Sequence, residues 1–248
     1  MKIWLLDSGS LVIDQAHITW NLGCGNPVRF PVYSVLIEHD EGLFLFDSGY
    51  DLEHVQEVLP FELPEQTPEQ TIPAQLALCG FQPSDVGTVV MSHLHFDHVG
   101  GNKHLPDARV LIHATEIAQG RNCEPFERLG YSDHTWDHLD ANLVPISGDF
   151  EVAKGLHLFE TPGHTVGHYS LLVTPQSGGA MLFPFDVTYT RDAYERGLQP
   201  GFHVDPVAGV RSIQRIKDLA ETHGAEIFFT HDMEAWGTYR HAPDFYEV

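Results

Sequence analysis

Four side chains able to bind a metal fall within six residues of one another in Ser92-His93-Leu94-His95-Phe96-Asp97-His98-Val99-Gly100-Gly101. In an extended loop His93 and His95 alternate to the same side, and Asp97 and His98 turn onto a neighbouring position as a helix begins. One run can therefore feed two adjacent ions. Imidazole nitrogens joined by a carboxylate oxygen are a donor set suited to zinc. Metal held this way makes water a nucleophile near neutral pH and polarises a carbonyl, which is the chemistry of ester hydrolysis.

A pair of ions needs more donors, and three stand at the ends of apolar runs. His164 lies in the turn Thr161-Pro162-Gly163-His164-Thr165, Asp186 follows Phe185, and His231 lies in Thr230-His231-Asp232. The ends of strands are where open α/β folds assemble their sites. Asp186 is placed to bridge two ions. Tyr189, three residues farther on, offers a neutral phenol to a developing oxyanion. Asp97 can bind metal and then pass a proton to a leaving alkoxide.

The elements that must carry these residues can be read from pattern. Ile3 to Leu6, Leu11 to Ile13, Val32 to Ile37 and Leu43 to Phe46 read as strands in a meander, with Asp40-Glu41-Gly42 as a hairpin turn. The proline-broken segment from Asp51 to Gln70 reads as a short helix and a loop, and a helix starts near Thr71 and stops at Gly80. Val86 to Met91 reads as a buried strand leading into the histidine-rich run. Arg109 to His113 is a strand followed by a helix from about Thr115, and Asn122 to Asn142 is a polar stretch read as a lid or insertion. Strands then recur near Val144 and Glu151 and at Leu156 to Glu160, Tyr169 to Val173 and Met181 to Phe185. The clearest helix is capped by Asp205, has Pro206 in its first turn and ends at Gly224. Its apolar face is read as Val207, Val210, Ile213, Ile216, Leu219 and Ala220. Glu226 to Phe229 delivers His231. Two halves of strands followed by helices, with no linker between them, predict one domain over residues 1–248, with two sheets face to face and helices outside.

Composition narrows the function further. Hydrophobic residues make up 42% and charged residues 19% of the 248, as in a folded soluble domain. The net charge of −22 disfavours nucleic acid and anionic membranes as partners. The opening apolar run is too short for a secretory signal, and no run is long enough for a membrane span. Cys24, Cys79 and Cys123 form no disulfide framework and are read as small core residues in a reducing compartment. The expected location is cytoplasmic, and the expected form a monomer or homodimer.

Together these residues resemble the metallo-β-lactamase superfamily, whose signature is a His-x-His-x-Asp-His run followed by a distant His, Asp and His. The resemblance covers Asp47 to His231 and implies an α+β four-layer αββα sandwich. It also implies two Zn2+, with Mn, Fe or Co as possible replacements. His93, His95 and His164 would hold one ion; Asp97, His98 and His231 would hold the other; Asp186 would bridge them. Asp47, in Phe46-Asp47-Ser48-Gly49, is implied as a buried support for the ligands.

The Asp-x-x-Tyr step is similar to the lactonase branch, so a small-molecule lactone is the expected substrate. Within that branch the loop segments Arg29-Phe30-Pro31-Val32-Tyr33-Ser34, Val58-Leu59-Pro60-Phe61-Glu62, Pro125-Phe126-Glu127, Leu129-Gly130-Tyr131-Ser132-Asp133 and Phe202-His203-Val204-Asp205-Pro206 look like those of 4-pyridoxolactonases. The stretch from Ser132 to Phe150 is shorter than in those enzymes and leaves less of a lid. An N-acyl homoserine lactonase is the alternative reading, and it shares every ligand and Tyr189. Trp20, Arg29 and Phe30 are candidate substrate contacts. A di-iron redox protein is disfavoured by His95, where such proteins carry Glu. A non-catalytic metal-binding module is disfavoured because no ligand is lost.

Overall fold

The computed structural model describes residues 1–137 and 142–248. In chain order the first half contains β1 (Lys2–Asp14), α1 (Gln15–Ile18), β2 (Pro27–His39), β3 (Gly42–Phe46), α2 (Leu52–Val58), α3 (Ile72–Leu78), β4 (Thr88–Val90), α4 (Phe96–Val99), β5 (Arg109–His113), α5 (Ala114–Arg121) and α6 (Asp133–Trp136). The second half contains β6 (Leu143–Ile146), β7 (Phe150–Ala153), β8 (Leu156–Glu160), β9 (Tyr169–Val173), β10 (Met181–Phe183), α7 (Arg191–Arg196), α8 (Pro206–His223), β11 (Glu226–Ile227), α9 (Met233–Trp236) and β12 (Tyr246–Glu247).

The chain forms two compact units. The first comprises residues 1–11, 31–146 and 239–247. Its seven-stranded sheet runs β12-β1-β2-β3-β4-β5-β6. β2 and β3 pair antiparallel across the turn ending at Gly42, whose φ of 142° suits glycine. β3, β4, β5 and β6 then pair in parallel. Strands in such a ladder are buried on both faces, which is why Val89, Val90, Val110, Leu111 and Ile112 are almost continuously apolar and buried. Because Phe46 pairs with Val90, the loops leaving β3 and β4 emerge side by side. That register delivers Asp47 next to Ser92.

The two strands expected at Ile3 to Leu6 and Leu11 to Ile13 form one 13-residue strand. The polar stretch from Asn122 is better packed than a lid: Tyr131 and Trp136 join the core around Leu45, Val89 and Leu94. The part of that reading that falls on residues 138–141 lies outside the described residues.

The second unit comprises residues 12–30, 147–238 and 248. Its five strands run β11-β10-β9-β8-β7, antiparallel except where β11 pairs parallel with β10. Leu172, Leu182, Val187, Ile213 and Ile216 form its core, with Leu219 and Ala220 packed against it. α8 begins as expected, with Asp205 Oδ1 accepting from the amides of Val207 and Ala208 at 2.9 Å. Gly224 ends it in the left-handed conformation.

Its apolar face differs from the expected one. Val207 and Val210 are 60% and 54% exposed, and Gly209 and Ser212 are buried in their place. The cause is a close backbone approach. A Cβ on Gly163 would lie 2.4 Å from Gly209 Cα, and Ser212 Oγ donates to the carbonyl of Pro162 at 2.7 Å. Only small residues fit there, and no hydrophobicity pattern ranks a glycine as an inward position.

Met181–Phe183 is shorter than the strand expected to Phe185, since the chain breaks at Pro184 into a 3-10 turn over Phe185–Val187. All three cysteines are free thiols; Cys79 and Cys123 pack, partly buried, against the core of the first unit, and Cys24 departs from expectation in being exposed. Among the described residues, no helix is long and apolar enough to cross a membrane.

Candidate metal centre

In the first unit the ligand run begins where β4 ends. His93 and His98 are buried, Asp97 nearly so and His95 half-buried. Asp97 and His98 occupy the first turn of α4. Ligand atoms of His93 and His95, of His93 and His98, and of Asp97 and His98 lie within 4.8 Å of one another.

One carboxylate organises this set. Asp47, buried and in the left-handed region at φ 56°, accepts from Ser92 N at 2.8 Å, Ser92 Oγ at 2.7 Å and His98 Nδ1 at 2.7 Å. Having donated its only proton to Asp47, Ser92 Oγ accepts from His93 Nδ1 at 2.9 Å. Both histidines therefore carry their proton on Nδ1, which leaves the Nε2 lone pair as the metal donor. Gly100 and Gly101 close the run because residues 48–51 cross directly over them. Their amides donate to the carbonyls of Gly49 at 2.7 Å and Ser48 at 3.0 Å, and a Cβ on Gly100 would lie 2.0 Å from Asp51 N.

In the second unit three separate turns bring His164, Asp186 and His231 together, all buried. His164 Nδ1 donates to the main-chain carbonyl of Phe202 at 2.6 Å, which leaves its Nε2 as an acceptor. That Nε2 lies 3.3 Å from Asp186 Oδ2, and His231 Nε2 lies 3.3 Å from Asp186 Oδ1. The carboxylate thus presents one oxygen to each of two histidines. A nitrogen lone pair facing a buried carboxylate oxygen at that distance is repulsive unless a cation or a proton lies between them. The donor types, their burial and their divergent pairing fit a bridging carboxylate between two metal ions.

Tyr189 is buried, with its ring centroid 4.7 Å from that of His231 and 6.0 Å from that of His164. Its carbonyl accepts from His231 N at 3.2 Å, so it belongs to the same set. Among the candidate substrate contacts, Phe30 is buried edge-on to His231 at 4.8 Å. Trp20 is 44% exposed and packs edge-on to His203 at 4.4 Å. Arg29 is half-buried on β2 beside Phe30.

Three residues have roles that the sequence reading did not assign. Ser92 relays between Asp47 and His93, a role with no sequence signal beyond adjacency. His168 is fully buried and accepts from the amide of Asp186 at 3.2 Å. Its signal was the second histidine of Gly163-His164-Thr165-Val166-Gly167-His168. Glu62 is buried on a 3-10 turn, and among the described residues its Oε2 has no hydrogen-bond partner. Burial, reinforced by the charge of Asp97, pushes its pKa up to about 8.

The metallo-beta-lactamase superfamily model matches residues 27–231. An N-acyl homoserine lactonase of Bacillus thuringiensis is 30% identical over 252 residues, covering 98% of each chain. The N-acyl homoserine lactonase AttM of Rhizobium radiobacter is 32% identical over 259 residues, covering 99% of this chain and 98% of its own. A solved N-acyl homoserine lactone hydrolase, with the product N-hexanoyl-L-homoserine bound at its catalytic metal center, matches with a TM-score of 0.89 at 31% identity, covering 99% of this chain and 98% of its own. AidC, a dizinc quorum-quenching lactonase, matches in fold with a TM-score of 0.72 at 18% identity, covering 99% of this chain and 93% of its own. None of these relatives is a 4-pyridoxolactonase, so that finer expectation gains no support from them.

Proposed function

Since the chain belongs to the metallo-β-lactamase superfamily and has its mixed α and β fold, we propose that it opens the ring ester of an N-acyl homoserine lactone. It is a metal-dependent hydrolase of the lactonase branch, as its relatives are. The observation that carries the reading is the Asp186 carboxylate, with one oxygen turned to His164 and the other to His231. In this proposal His93, His95 and His164 would hold one Zn2+, Asp97, His98 and His231 would hold the other, and Asp186 would serve both. When bound, the ion pair lowers the pKa of water toward neutrality and polarises the ester carbonyl.

The residues of this chain supply the rest. Asp47 and Ser92 fix the tautomers of His98 and His93, so these imidazoles stay neutral donors. Phe202 does the same for His164 through its carbonyl. Tyr189 donates its phenol proton in a hydrogen bond to the oxyanion that forms as the carbonyl is attacked. Asp97 takes up the proton released by water and passes it to the leaving alkoxide as the ring opens. Three free cysteines suit a cytoplasmic setting.

A second reading, a small heteroaromatic lactone of the 4-pyridoxolactone kind, is favoured by one observation besides the loop segments. Glu62 is a buried carboxyl near enough to Asp97 to feel its charge, and among the described residues its Oε2 has no hydrogen-bond partner, a setting that suits a polar ring better than an aliphatic acyl chain. Assay of the zinc-loaded protein against N-hexanoyl homoserine lactone and 4-pyridoxolactone, side by side with product analysis, tests both. Ring opening of the first alone supports the main reading, and of the second alone the other. No hydrolysis of either by protein containing two zinc ions refutes both substrate assignments.

A further inference from the structure

We infer that His168 is a positioning residue that sets the bridging carboxylate through the main chain of Asp186. The inference rests on the proposed bridging role of Asp186.

The turn that carries Asp186 has lost the support of its sheet. β10 ends at Phe183, Pro184 has no amide to donate, and Phe185 lies in the left-handed region at φ 48° without being glycine. The buried amide of Asp186 lies past the end of β10, where an unsatisfied amide is costly. His168 Nε2 accepts that amide at 3.2 Å.

The imidazole is in turn held in the tautomer this requires. His168 Nδ1 donates to Thr161 Oγ1 at 2.9 Å, and Thr161 Oγ1 donates to Ser170 Oγ at 2.9 Å. Ser170 Oγ donates to the carbonyl of Pro184 at 3.0 Å. This chain of hydrogen bonds begins and ends on the same turn, at Asp186 N and Pro184 O. The ring is fully buried, as are Thr161 and Ser170. A leucine would fill the space and keep none of this. A glutamine, whose side-chain oxygen can accept an amide proton, keeps the first bond.

The consequence concerns the ion pair more than the fold. A carboxylate that must reach two ions at once tolerates little displacement, whereas one serving a single ion can re-aim. Loss of the His168 contact should therefore uncouple the ions before it unfolds the chain.

The full-length protein and its His168→Leu, His168→Gln, Thr161→Val and Asp186→Ala variants would be loaded with Mn2+. The affinity for each ion would be measured by chelator competition, and exchange coupling between the ions by electron paramagnetic resonance. Wild-type protein should bind two ions with a coupled spectrum, and Asp186→Ala should lose the coupling. His168→Leu, folded by circular dichroism, should bind the weaker ion at least tenfold less tightly and show uncoupled signals, and His168→Gln should restore both in part. Wild-type affinities and coupling in folded His168→Leu would overturn the inference. Should that variant fail to fold, unaltered coupling in Thr161→Val would overturn it equally. A wild-type protein that binds fewer than two ions, or an Asp186→Ala variant that stays coupled, refutes the bridging reading itself and removes the inference with it.

Discussion

The two ligand sets are built by opposite means. In the first unit four ligands arrive in one short run, and a single side chain, Asp47, orients two of them. In the second, three ligands come from three distant turns with separate supports: the carbonyl of Phe202 accepts from His164, and the side chain of His168 accepts from the amide of Asp186. A side-chain keystone concentrates the support at one mutable position. The carbonyl that supports His164, by contrast, cannot be deleted by exchanging Phe202.

That contrast can be broken, starting with the largest effect. Asp186→Ala removes the carboxylate that faces both His164 and His231, so turnover should disappear and metal content fall below two ions per chain; full activity with two ions bound would refute the assignment. Tyr189→Phe should keep both ions and lower kcat by about 10–1000-fold, roughly 1–4 kcal/mol of transition-state stabilisation. An unchanged rate would remove Tyr189 from the mechanism. Asp47→Ala should weaken metal binding by about 10–100-fold through two histidines at once, readable by calorimetric titration.

Glu62→Gln sharpens the picture within the first unit, because Glu62 is a buried carboxyl without the donors that surround Asp47. Its folded pKa of about 8 exceeds the usual 4.5, so its charge costs stability increasingly as pH rises from about 4.5 to 8. The metal-free Gln variant should match wild type near pH 4.5 and melt about 3 °C higher or more at pH 8.5. A difference that does not change with pH would refute the cause assigned to the shift. The smallest effect belongs to Phe202→Ala. Because the acceptor for His164 is the carbonyl, metal affinity should change less than about threefold, against the larger loss for Asp47→Ala; equal losses would erase the distinction between the two sets.

The same contrast explains what could be read from sequence. The run from His93 to His98 was legible because its ligands are neighbours in the chain and its geometry follows from strand and helix periods. Strands such as Arg109–His113, Leu156–Glu160 and Tyr169–Val173 were legible to the residue because the first and last carry short unbroken apolar runs, Val110–Ile112 and Leu171–Val173, and the other alternates, with Leu156 and Leu158 buried and His157 half-buried. His164, Asp186 and His231 were found as types and positions, but their supports were not. The turn at Phe185, the amide contact of His168 and the inward glycine at 209 depend on partners far away in sequence, and no local pattern encodes them. β12 escaped for the same reason, since its two residues are a strand only because β1 lies beside them.

The contact between Gly163 and Gly209 divides α8 into two regimes of tolerance. On its inner side a methyl group on Gly163 would run into the main chain of Gly209, and one on Gly209 would meet the side-chain amide of Gln199. On its outer side, Val207 and Val210 stand in solvent within the same turns. The first turns of this helix thus offer an attachment point, where a dye, a tether or added charge can be placed, within a residue or two of a position crowded on its inner side.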